Sequence, residues 1–217
     1  MMASPYQFDS FEQQRQQMVS AQLVARGIRD PRVLEAMRSV PRHEFVLEEF
    51  RGQAYDDRPL PAGEGQTISQ PYIVAVMLEH LELQPSDRVL EIGTGSGYAT
   101  ALLTTLCAEV FSVERHASLA SLAGVRLARL GYNNVKIQVG NGRLGWPEHA
   151  PFDAVLVSAA TAEIPPHLFE QLREGGRMIL PVGPPSAQEL QLIRKVNGTA
   201  EAKGLEGCRF VPLVAEP

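Results

Sequence analysis

Cysteine is scarce in this chain: Cys107 and Cys208 are the only two among 217 residues, far apart and outside any CxxC pair. That scarcity argues against a disulfide framework, a zinc knuckle or a dithiol redox centre, and both cysteines read as reduced packing residues. Five histidines, His43, His80, His116, His149 and His167, show no metal-ligand spacing, so no metal is expected. Positive charge is also in short supply. Twenty Lys+Arg stand against 25 Asp+Glu, a net charge of −5, and no basic run occurs. Such a balance lacks the patch that tracks a phosphate backbone, and no nucleic-acid partner is expected. No apolar run approaches membrane-spanning length, and MMASPYQFDSFEQQRQQ has neither the basic start nor the apolar centre of a signal peptide. The expectations are therefore no membrane association and a cytoplasmic location.

What the chain does have is 44% hydrophobic residues, enough at this length for one sizeable core. Residues 1–217 read as a single domain, with N-terminal helices and a loop in 1–70 and an α/β core in 71–217. Asp9 to Arg26 has a helical composition stopped by Gly27, and Asp30-Pro31 is a cap followed by the residue best tolerated in a first turn. Between Arg51 and Gln70, Gly52, Pro59, Pro61, Gly63 and Gly65 predict a long ordered loop. Pro71 then opens a helix with Val74, Met77, Leu78 and Leu81 on one face.

From Arg88 onward short apolar strands alternate with helical segments: RVLEI, Tyr98 to Leu106, EVFSV, Ser118 to Leu130, VKIQV, a GNG turn, DAVLVS, PPHLFEQLR and RMILPV. Parallel neighbours need crossover connections, so this alternation predicts a Rossmann-like, doubly wound, mainly parallel sheet with helices on both faces. ELQLIRKV and CRFVPL, separated by NGTAEAKGLEG, read as an antiparallel pair at the C-terminal edge, and the N-terminal helices are an extension.

The stretch VLEIGTGSGYAT runs a strand through Gly93, Gly95 and Gly97 into a helix. Glycines at such a turn let backbone approach a ligand, with helix amides pointing at it. A dinucleotide fingerprint would need a glycine where Tyr98 stands, and no Gly-Lys-Ser/Thr follows to make a P-loop. Glu91 stands just before the glycines, and Glu114 ends the next strand, where it can accept ribose hydroxyls. An acidic residue at the loop disfavours a pyrophosphate and suits a ligand carrying an ammonium and a sulfonium, S-adenosylmethionine. The glycines could instead serve turn geometry alone, with Glu114 an ordinary strand-end charge. A third loop, Gly140-Asn141-Gly142, ends the VKIQV strand beside the other two, at the carboxyl edge where open α/β folds bind ligands.

Over nearly its whole length the chain resembles the protein-L-isoaspartate O-methyltransferases. The matching stretches are MVSAQLVARGI, VPRHEFV, GEGQTISQPYIVAVM, VLEIGTGSGYATALL, VFSVER, GNGRLGWPEHAPFDAVLVSAA, QLREGGRMILPVG and FVPL. The resemblance implies methyl transfer from S-adenosylmethionine to the free carboxylate of an L-isoaspartyl residue in an aged protein, whose ester then closes to a succinimide. It implies Ser69 as the active-site residue, with Thr67, Ile68, Gln70, Val211 and Pro212 near the substrate. It also implies Gly93, Gly95, Ser96 and Gly97 as the cofactor loop and Glu114 as the ribose acceptor. Asn141-Gly142 stands where the family usually has Asp-Gly, a position implied to meet the adenine amino group.

The residues agree with that chemistry. A carboxylate is ionised at neutral pH and needs no base to attack a methyl group, so no Ser-His-Asp or Cys-His set is required. Ser69, two residues before Pro71, could alternatively be the helix cap, and the Gly63 to Gln70 segment could fold over the donor. Rival readings are a same-fold methyltransferase of small molecules or RNA, a nicotinamide oxidoreductase, and a family member with impaired turnover.

Overall fold

The computed structural model describes residues 9–214. The chain begins with α1 (Asp9–Gln17), which continues into a wider π turn over Met18–Leu23 and a tighter turn over Val24–Arg26. Gly27 ends the run in the left-handed conformation at φ 103°, as its position after the helical stretch predicts. α2 (Pro31–Ser39) is capped as expected, the Asp30 carboxylate accepting from the amides of Arg32 and Val33 with Pro31 in the first turn.

The 51–70 segment departs from the expected loop. After a 3₁₀ stretch over Glu48–Gln53 it forms a hairpin, β1 (Leu60–Gly63) against β2 (Gln66–Ile68), turning at Glu64 and Gly65, both with positive φ. The prolines suggested irregular chain, but Pro61 lies in a two-stranded ribbon with solvent on one side, where a missing amide costs little. α3 (Pro71–Leu81) follows and is buried on nearly every side, not on one stripe: Pro71 through Leu78 and Leu81 are all buried.

The main sheet has seven strands in the order β5-β4-β3-β6-β7-β8-β9. β3 (Arg88–Ile92), β4 (Glu109–Glu114), β5 (Val135–Val139), β6 (Phe152–Val157) and β7 (Leu172–Val182) are mutually parallel; α4 (Tyr98–Leu106), α5 (Ala117–Arg129) and α6 (Pro166–Glu170) join β3 to β4, β4 to β5 and β6 to β7, and two short 3₁₀ turns lie between β5 and β6. β8 (Gln188–Val196) and β9 (Thr199–Cys208) are antiparallel. The expected antiparallel edge is present, but its outer strand is TAEAKGLEGC, not CRFVPL. An Asn197-Gly198 turn with φ 51° and 74° reverses the chain directly after β8, the strongest short-range hairpin signal in the sequence. β9 is polar because it is an exposed edge.

Strand alternation divides the core. Val89, Val110, Ala154 and Leu156 face the cluster filled by the N-terminal segment and α2 to α4. Leu90, Ile92, Phe111, Val113, Val155 and Val157 face a second cluster closed by Leu168 of α6, with Trp146 packed against it. The chain leaves β3 for β4 and β5 on one side and returns through β6 on the other. The switch point therefore lies at the carboxyl ends of β3 and β6, where ligands bind in such folds.

Candidate active site

A cavity of roughly 810 Å³ opens at that switch point. The β3–α4 turn, the end of β4, the β5 loop, the end of β6, the segment from β2 into α3, and the chain after β9 all contribute to its wall. Its size falls within the range of small-molecule sites.

The glycine turn is built from both sides. Gly93 donates to the Val113 carbonyl at 2.9 Å and Gly97 to the Thr94 carbonyl at 2.9 Å. Gly95 adopts φ 53°, and a Cβ there would meet nothing within 4 Å, so its open side belongs to the cavity. Gly97, at φ 89°, does something else: a Cβ would lie 3.3 Å from that of Ala123, so this glycine lets α5 pack against the start of α4. Gly97 does not line the cavity.

Glu114 lies on the wall, 5% exposed. Its two oxygens accept from the Gly95 amide at 2.8 Å and the His116 amide at 2.9 Å, so the carboxylate fixes the glycine turn as well as facing the ligand space. A carboxylate has about four acceptor positions, and two remain for hydroxyl donors. Glu91, by contrast, does not reach the cavity. It points beneath α4, fully buried, and accepts from Thr100 Oγ1 and Ser112 Oγ at 2.6 Å each. Burial, only partly offset by those two bonds, pushes its carboxyl up to about 7. Glu91, read from the sequence as a cofactor-binding residue, is thus set back from the cavity wall: two positions before the glycines on a strand is the buried face. Thr94, whose hydroxyl lies 2.6 Å from that of Ser112, is the wall residue connected to Glu91.

Of the β5 loop, Gly142 lines the cavity and Asn141 does not. The Asn141 side-chain oxygen accepts from the Arg143 amide at 3.0 Å, capping the short turn Gly142–Leu144. Gly142 is confined by Ile92, whose Cγ2 would sit 2.5 Å from an added Cβ.

Thr67, Ile68, Ser69 and Gln70 line the same cavity. Ser69 is half-buried and makes no hydrogen bond among the described residues. It is not the cap of α3 either: Gln70 holds that position, and among the described residues no side chain caps the helix. The first-turn amides of α3 therefore stay without a side-chain acceptor at the cavity wall, where Ile73 and Val74 also lie. Val211 and Pro212 close the wall from the chain after β9. Ala160 donates to the Val211 carbonyl at 2.8 Å, and Gln188 brackets the Phe210 backbone through both its amide atoms. Sequence reasoning missed Thr94, Ser158 and Gln188. Ser158 was within reach, since it ends DAVLVS at the switch point.

The residues fit the methyl donor: an open glycine turn, an acidic strand end with spare acceptor capacity and a cavity of suitable size. A doubly wound sheet carrying these features at its switch point defines an S-adenosylmethionine-dependent methyltransferase. A family model described as protein-L-isoaspartate(D-aspartate) O-methyltransferase matches residues 13–217. A protein-L-isoaspartate O-methyltransferase of Koribacter versatilis (strain Ellin345) is 52% identical over 99% of this chain and 96% of its own. A solved protein-L-isoaspartate O-methyltransferase superposes with a TM-score of 0.83 at 31% identity, covering 91% of this chain and 65% of that one. A Plasmodium falciparum structure assigned to the same enzyme, in complex with S-adenosyl-L-homocysteine, gives 0.80 at 29% identity, covering 92% and 98%. The chain belongs to the protein-L-isoaspartate(D-aspartate) O-methyltransferase family.

Proposed function

We propose that the chain methylates the free carboxylate of L-isoaspartyl residues in aged proteins and peptides, with Ser69 at the acceptor and the glycine turn, Glu114 and Gly142 at the donor. The observation that carries this reading is the uncapped start of α3 beside an unpartnered Ser69 hydroxyl, in the cavity that also holds the glycine turn. An uncapped helix N-terminus attracts a carboxylate through its free amides and dipole, and the serine hydroxyl can donate a further bond. S-adenosylmethionine supplies an electrophilic methyl group on a sulfonium.

The protein's own task is alignment. The acceptor carboxylate is already ionised, so no general base is called on, and holding the reacting atoms in line can contribute several kcal/mol. Val211 and Pro212 shape the wall along which the substrate backbone runs. Glu114 orients the donor by accepting from its ribose while keeping the Gly95 amide in place. The working location is the cytoplasm, consistent with Cys107 and Cys208 being free thiols. The partners are aged proteins, with neither nucleic acid nor membrane involved.

The test is methyl transfer from labelled S-adenosylmethionine to two peptides differing only in one isoaspartyl or aspartyl linkage, with and without chelator. Labelling of the isoaspartyl peptide alone, unaffected by chelator, is expected. Equal labelling of both, or loss of activity in chelator, overturns the reading.

A further inference from the structure

The glycine turn is held from behind as well as from the cavity side. Arg126, on α5, donates from Nη1 to the Ser96 carbonyl at 2.6 Å, while Glu114 accepts from the neighbouring Gly95 amide. Arg126 is half-buried, its guanidinium carbon 5.8 Å from the centre of the Phe45 ring, and Phe45 in turn meets Tyr98 edge-on at 5.7 Å. Arg129 on the same helix is tied instead to Glu44 at 2.6 Å and leaves the turn alone.

Glycines on both sides of Ser96 make the turn permissive, since Gly95 and Gly97 reach either sign of φ at little cost. A peptide unit is planar, so rotating the Ser96–Gly97 unit would carry the Ser96 carbonyl away from α5 and lose the Gly97 bond to Thr94. A charge-assisted bond from Arg126 selects against that rotation. In the selected state the amides of Thr94 and Ser96, residues on the cavity wall, make no bond to another described residue and remain for a ligand.

We infer that Arg126 is a positioning residue for the methyl donor, holding the glycine turn in the conformation that presents its amides to the cavity. The residue touches neither donor nor acceptor, so its removal weakens donor binding and leaves the acceptor side intact.

Calorimetry with S-adenosyl-L-homocysteine on Arg126→Met, Arg126→Lys and Arg129→Met tests this without relying on activity. Arg126→Met is expected to bind about tenfold more weakly, the loss of one charge-assisted bond. Arg126→Lys should recover part of the loss, and Arg129→Met should match the parent. With saturating donor, kcat and the KM for isoaspartyl peptide should stay unchanged in Arg126→Met, and the ligand-free thermal midpoint should move by only about 2–4 °C. Parental affinity in Arg126→Met overturns the inference, as do equal losses in Arg126→Met and Arg129→Met, which would mark a general effect of charge on α5. Should Arg126→Met fail to fold, Arg126→Lys carries the measurement, with parental affinity again the overturning result.

Discussion

Ser69 stands at the start of α3 without capping it, so its two possible roles make separable predictions. Ser69→Ala should lower kcat/KM for isoaspartyl peptide by about tenfold or more, since a hydrogen bond to a charged group contributes roughly 1.5–3 kcal/mol. Affinity for S-adenosyl-L-homocysteine and the thermal midpoint should hold. A fall of about 1 kcal/mol in stability with unchanged kinetics would instead restore the capping role. At this scale much of the site was legible, because a glycine turn after an apolar strand and an acidic strand end carry their chemistry in their spacing. Glu91 and Asn141 fall outside the cavity wall for a common reason. Each is adjacent in sequence to a loop that lines the cavity, yet one side chain turns under α4 and the other folds back on the Arg143 amide. Adjacency along the chain does not say which way a side chain points.

Among the elements, α3 is fixed at both ends by different means. Its start faces the cavity, while at its far end Arg177 of β7 donates to the carbonyls of Leu81 and Glu82 at 2.5 and 2.8 Å and pairs with Asp87 at 2.5 Å. Both partners of that ion pair are nearly fully buried, so Asp87→Ala leaves a buried cation uncompensated and should cost about 3–5 kcal/mol in urea unfolding. The pair lies at the opposite end of β3 from the glycine turn, so donor affinity and peptide KM at a temperature where the variant is folded should match the parent. A stability loss under 1 kcal/mol would mean the backbone carbonyls alone satisfy Arg177. Element boundaries were readable wherever apolar period and punctuation agreed, as from Tyr98 to Leu106, where expected and observed helices coincide. They failed at β9, where an Asn-Gly turn outranks apolarity: an edge strand can be polar, and of CRFVPL only Cys208 pairs within β9, while the residues after it line the cavity.

For the molecule as a whole, the buried carboxyl of Glu91 gives stability a slope with pH. Its native carboxyl titrates near 7 against an ordinary value of 4.5, so between those limits the folded protein binds more protons than the unfolded chain. Stability from this group is therefore fully present below about pH 4.5 and is lost as pH rises through about 7, by up to about 3 kcal/mol. His43 works in the opposite sense, since burial lowers its pKa and the unfolded chain takes up the proton first as pH falls. Both contributions are whole-molecule quantities, so a single titration mixes them, but a Glu91→Gln variant removes one and keeps the other. The amide fills nearly the same space and can still accept from Thr100 and Ser112 through its carbonyl oxygen. Urea unfolding of parent and Glu91→Gln at pH 5 and pH 8 should show the parent losing stability relative to the variant by roughly 1–3 kcal/mol across that interval. A constant difference between the two proteins would mean that Glu91 keeps an ordinary carboxylate pKa, and that the bonds from Thr100 and Ser112 fully offset its burial.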